Sequence, residues 1–123
     1  MKFLWTTIYV KNLDESIAFY SDLAELRVLS RFAAGPGMEI AFMGNGSEDE
    51  TLVEFIVDGR TTAAEIGESI SIGFAVDSVD VMMGKVKSRG IPIQSGPIDT
   101  PTNARFFVIK DPNGLSVQFF QQN

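Results

Sequence analysis

Residues 8–20 and 74–86 follow one pattern at a constant offset of 66. Ile8 and Val10 stand where Phe74 and Val76 stand, as alternating apolar residues of a strand. Asn12 matches Ser78, and both are good helix N-caps because their side-chain oxygens accept orphan backbone N–H bonds. Glu15, three residues after Asn12, completes a capping-box pattern. Leu13, Ile17 and Tyr20 then match Val79, Met83 and Val86, spaced i, i+4, i+7 on one helix face. Asp14 and Asp80 fall in the first helical turns, where negative charge suits the helix dipole. Arg89-Gly90 closes the second helix, with glycine as a natural residue just past the end.

Strand-like segments follow each helix. They are Arg27–Phe32, Glu39–Met43 and Leu52–Val57 in the first half, and Ile91–Gln94, Arg105–Ile109 and Leu115–Phe120 in the second. Gly44-Asn45-Gly46 and Asp111-Pro112-Asn113-Gly114 are the turns before the last strand of each half. Gly35-Pro36-Gly37 is a turn, and residues 97–103 form a loop. Residues 61–69 connect the halves, with a short helical turn expected over 62–66. The expected fold is therefore α+β: a single domain over residues 1–123, made of a β-α-β-β-β unit over 1–60 and a second over 70–123. Such a unit curls into a half-barrel that leaves a sheet edge and an apolar face exposed, so two must pair around a cleft, within one chain or across a dimer. A ferredoxin-like α+β domain also alternates strands and helices. Agreement of cap, helix face and strand alternation at one offset favours the repeat.

Composition narrows the chemistry. Apolar residues make up 45% of the chain, enough for a real core. There is no cysteine, hence no disulfide, thiolate nucleophile or thiolate metal site. There is no histidine either, which removes Ser-His-Asp triads, HExxH zinc sites and two-His-one-carboxylate iron sites. The formal charge of −6 argues against a nucleic-acid partner. No run approaches the ~18 apolar residues of a membrane helix, and residues 1–5 lack a signal-peptide pattern, so a cytoplasmic location is expected.

The segment Ile8-Tyr9-Val10-Lys11-Asn12-Leu13-Asp14-Glu15-Ser16-Ile17-Ala18-Phe19-Tyr20 resembles the opening of glyoxalase/bleomycin-resistance (vicinal-oxygen-chelate) proteins. Phe106-Phe107-Val108-Ile109-Lys110-Asp111-Pro112-Asn113-Gly114-Leu115-Ser116-Val117-Gln118 resembles their final hairpin. Ala24-Glu25 departs from the Leu-Gly step that the family often has after the first helix.

The resemblance implies a cleft and, in metal-using members, four ligands from four strands. Those positions here hold Trp5, Glu54, Ser71 and Gln118. Glu54 is a strong ligand and Gln118 offers a neutral carbonyl oxygen. Trp5 has no donor atom for a metal, and Ser71 is a poor ligand unless deprotonated. One carboxylate and one amide fall short of what zinc or nickel requires, so no metal or other cofactor is expected.

Family members without a metal bind ligands in an apolar groove, where Trp5 would offer a rigid stacking surface. Trp5 plugging the barrel mouth as a core residue is the other reading. Glu54 points into the cleft if Leu52 and Ile56 do, leaving Val53 and Phe55 toward the helix. There it would pair with a cationic ligand, act as a base, or be satisfied by Ser71 or Gln118. The four positions are expected to converge on one concave face, in a homodimer that binds a small apolar or cationic molecule. A metal-dependent lactoylglutathione lyase-like lyase, isomerase or dioxygenase, and a non-catalytic interaction domain, are the alternatives.

Overall fold

The computed structural model describes residues 1–60 and 65–123. The chain divides into two compact modules, Met1–Glu65 and Ile66–Asn123. Module 1 runs β1 (Trp5–Tyr9), α1 (Leu13–Leu23), β2 (Arg27–Gly35), β3 (Met38–Gly44) and β4 (Leu52–Asp58). Module 2 runs β5 (Ser71–Ala75), α2 (Val79–Ser88), β6 (Ser95–Asp99), β7 (Ala104–Lys110) and β8 (Ser116–Gln122). The sheet orders are β1-β4-β3-β2 and β5-β8-β7-β6, so the two modules share one topology. In each, the first strand pairs parallel with the last and the other pairings are antiparallel. The expected β-α-β-β-β unit is thus present twice.

Both helices begin as their sequences dictate. Asn12 Oδ1 accepts from the Glu15 N–H at 2.9 Å, and Ser78 Oγ accepts from the Val81 N–H at 3.1 Å. The buried face of α1 is Leu13, Ser16, Tyr20 and Leu23, with Ile17 only half-buried beside it. That of α2 is Val79, Met82, Met83 and Val86. Each helix packs on one face of its own sheet. In module 1 the Tyr20 and Phe55 rings lie 5.2 Å apart, and both are fully buried. In module 2, Phe107 and Phe119 stack at 5.3 Å and are likewise buried. Burying an aromatic or aliphatic side chain of this size contributes roughly 1.5–3 kcal/mol, so these cores carry the fold.

A charged cluster ties each helix start to its sheet. In module 1, Arg31 of β2 donates to Asp14 at 2.7 Å and to Glu39 of β3 at 2.9 Å. In module 2, Arg105 of β7 donates to Asp80 at 3.1 Å and to Asp99 of β6 at 2.9 Å. Asp14 and Asp80 are repeat equivalents, and so are Glu39 and Arg105. The arginine that reaches the helix comes from β2 in module 1 and from β7 in module 2, while the tie to the helix is kept.

Two expectations need correction. Ile91–Gln94 is not a strand, and the second strand of module 2 is Ser95–Asp99. Accordingly, Pro97–Asp99 is strand rather than loop, and only residues 100–103 turn into β7. Gly96 explains the placement. Its φ is +97°, and a Cβ there would lie 2.8 Å from the Phe106 carbonyl oxygen and 2.9 Å from Phe107 Cα. The backbone runs too close to β7 for any side chain, and the register shifts between Ser95 and Ile98. Of the helical turn expected over 62–66, residues 62–64 lie outside the described residues.

Candidate functional site

In module 1 the parallel register sets Trp5 against Leu52 and Thr7 against Glu54. Phe55 faces α1, so by strand alternation Glu54 lies on the opposite face with Leu52 and Ile56. Trp5 is the diagonal neighbour of Glu54 on that face. Phe42 of β3 pairs with Glu54 in register, and its ring meets Trp5 edge-on with centroids 5.1 Å apart. Phe32 of β2 extends the row, 6.3 Å from Phe42 and nearly parallel to it. Trp5 is 43% exposed and Phe32 45%, so Trp5 is not a buried plug. Three aromatic rings therefore form a ledge with one carboxylate beside it.

Glu54 is half-buried and accepts a hydrogen bond from the Thr7 hydroxyl at 2.6 Å. Ser71 or Gln118 were the partners considered from sequence; the bond goes to Thr7. That residue was findable, because alternation along β1 puts it on the face of Trp5. Phe42 and Phe32 were not, because the β2–β3–β4 register decides which aromatic residues join the ledge. At the N-terminal end of β1, a groove of about 390 Å³ is lined by Leu4, Leu29 and Leu52 together with Lys2 and Glu48.

Module 2 holds the other two positions. Ser71 pairs with Ser116, and Gly73 pairs with Gln118. Ser71 and Gln118 are therefore diagonal neighbours on the face away from α2, as Trp5 and Glu54 are in module 1. Gly73 stands where module 1 has Thr7, so the residue paired with Gln118 brings no hydroxyl; the Gln118 Oε1 lies 3.6 Å from where a Cβ on Gly73 would be. Ser71 is exposed and Gln118 half-buried. Each module thus brings its own pair together.

The donor set does not suit a transition metal. Module 1 offers one carboxylate, already bonded to a hydroxyl, beside an indole with no lone pair to give. Module 2 offers an amide and a hydroxyl. Among the described residues, no group of three or more His, Cys, Asp or Glu is gathered as a metal ion would need. No helix among them is long and apolar enough to cross a membrane.

Comparison with known proteins adds a family match, two relatives and two solved structures. The model of the Glyoxalase/Bleomycin resistance protein/Dioxygenase superfamily matches residues 2–119. A lactoylglutathione lyase of Neisseria meningitidis serogroup A is 30% identical over 99% of this chain and 91% of its own length. A probable lactoylglutathione lyase of Synechocystis is 28% identical over 98% and 95%. Among solved structures, the trypanothione-dependent glyoxalase I of Leishmania major superposes with a TM-score of 0.82 at 24% identity, over 99% of this chain and 87% of that one. Glyoxalase I of Zea mays gives 0.84 at 24% identity, over 98% of this chain and 44% of that one.

Proposed function

Since the chain belongs to the glyoxalase/bleomycin resistance protein/dioxygenase superfamily, we propose that it binds a small apolar or cationic molecule without using a metal. The observation that carries this reading is the aromatic ledge of Trp5, Phe42 and Phe32 with the Glu54 carboxylate at its side. A planar ligand stacks on exposed rings, gaining apolar contact and, if cationic, attraction to the ring faces and to the acid. Thr7 contributes by holding Glu54 in place through its hydroxyl. Within module 2, Ser71 and Gln118 supply a hydroxyl and an amide able to hydrogen-bond a ligand.

A second reading, lactoylglutathione lyase-like catalysis, draws on the relatives of that name. Catalysis of that kind needs a group able to shuttle a proton and an electrophile to polarise a carbonyl. Glu54 offers the first, and the four positions lack the second. Metal loading separates the two readings. Protein incubated with zinc, nickel, manganese or magnesium and then desalted is expected to retain less than one equivalent of metal. It should leave the methylglyoxal–glutathione adduct unconverted. Stoichiometric metal, with turnover abolished by Glu54→Ala, overturns the proposal in favour of the lyase.

The proposal extends to a homodimer in the cytoplasm, without nucleic acid as a partner. Exposed Val28, Leu29 and Phe32 on β2, an edge strand, support the dimer, because apolar side chains on an edge are favourable to cover. Sedimentation should give twice the chain mass, and a concentration-independent monomer refutes it. Cell fractionation tests the location.

A further inference from the structure

Module 2 holds a carboxylate in a ready-made cradle, and the carboxylate is the chain's own. Lys110, the last residue of β7, lies directly across from Ser116 and diagonal to Gln118, on the face away from α2. Its Nζ is 2.9 Å from each carboxylate oxygen of Glu68 and donates to Ser116 Oγ at 2.9 Å. Gln94 Nε2 donates to the same carboxylate at 3.4 Å. The two partners differ in how they are held. The Lys110 side chain is 31% exposed and anchored on a strand, whereas the Glu68 side chain is 74% exposed in the irregular segment ahead of β5. The bond to Lys110 holds the Glu68 carboxyl below the usual carboxylate range, as expected of a site that favours an anion.

The repeat shows that the fold does not require this arrangement. At the equivalent positions of module 1, Gly44 stands for Lys110 and Leu52 for Ser116, and Lys2 stands for Glu68. There, Lys2 and Leu52 line the open apolar groove, and the Lys2 ammonium turns instead to the Glu48 carbonyl oxygen. One place in the repeat is thus an open groove in one module and a filled polar cradle in the other.

We infer that Lys110, Gln94 and Ser116 form a carboxylate-binding subsite beside Gln118, and that Glu68 is its internal occupant, displaced when a ligand carboxylate enters. This deepens the small-molecule reading and rests on it: beside Gln118, which that reading takes as a hydrogen-bonding group, the subsite adds a place for an acid group. Glu68 then competes with every acidic ligand, lowering its apparent affinity by the fraction of time that Lys110 is occupied.

Glutarate tests this, with glutaramide as its uncharged counterpart. Both are titrated at constant ionic strength into the full chain, and backbone amide shifts are followed by NMR. Glutarate should move the amides of Gln94, Lys110 and Ser116, while glutaramide should not. Glu68→Gln should tighten glutarate about three- to fivefold, the range an exposed ion pair can withhold. Lys110→Met should abolish the response. Lys110→Arg, which keeps the charge, should retain it and serves if the methionine variant does not fold. An unchanged glutarate affinity in Glu68→Gln, or equal binding of glutaramide, overturns the subsite. The module 1 reading is tested separately by Trp5 fluorescence, so failure of either is seen on its own.

Discussion

Glu25 has φ +56°, in the left-handed region that glycine usually fills just after a helix. The chain closes α1 there, with the N–H groups of Ala24 and Leu26 both reaching the Tyr20 carbonyl oxygen at 3.1 Å. Gly90 does the same for α2 at φ +71°. A side chain in this conformation costs about 1–2 kcal/mol, and glycine's greater freedom in the unfolded chain returns about half of that. Glu25→Gly should therefore stabilise the protein by about 0.5–1 kcal/mol in urea unfolding; a loss of stability would contradict this reading of the turn. The departure from the family's Leu-Gly step was visible in the sequence, whereas its conformational cost required the backbone angle. Glu54 is a similar case. Its face followed from alternation along β4, and its partner Thr7 depended on the parallel pairing of β1 with β4.

The strands differ in how plainly their sequences declare them. Strands β3, β4, β7 and β8 are apolar on one or both faces, and their cores were expected within one or two residues of where they lie. Strand β6 is Ser-Gly-Pro-Ile-Asp, with exposed side chains throughout and no alternation to read. It is a strand because β7 beside it supplies hydrogen-bond partners and because Gly96 lets the backbones approach. Gly96→Ala should cost about 2–4 kcal/mol, combining a strained positive φ with a clash against backbone. Urea unfolding checks the stability, and hydrogen exchange at Phe106 reads the loosened edge. Unchanged stability and exchange would mean that β6 does not depend on this contact. Strand β2 was expected to end at Phe32 and runs on to Gly35, since the Gly35-Pro36-Gly37 turn returns the chain directly into β3.

The 66-residue offset was legible because capping, helix faces and strand alternation all repeat, and it predicted the topology of both modules. What the offset hides is divergence between the modules. Thr7 became Gly73, Trp5 became Ser71, and Gly44 became Lys110, so one module presents aromatic rings and an acid while the other presents amide, hydroxyl and ammonium groups. Specificity in a repeated fold resides in such differences, and these depend on cross-strand register that no single segment reveals. The ledge reading is open to one optical titration, since Trp5 is the only tryptophan. N-Methylquinolinium, a planar cation, and quinoline, neutral at pH 8, are each titrated while Trp5 emission is followed in the native protein and in Glu54→Gln. Both should quench the native protein. Glu54→Gln should weaken the cation by about 1–3 kcal/mol, the range for a hydrogen bond or contact to a charged group, and leave quinoline unchanged. Absence of quenching by either compound, or equal weakening of both, would contradict a ligand site on the Trp5–Glu54 face.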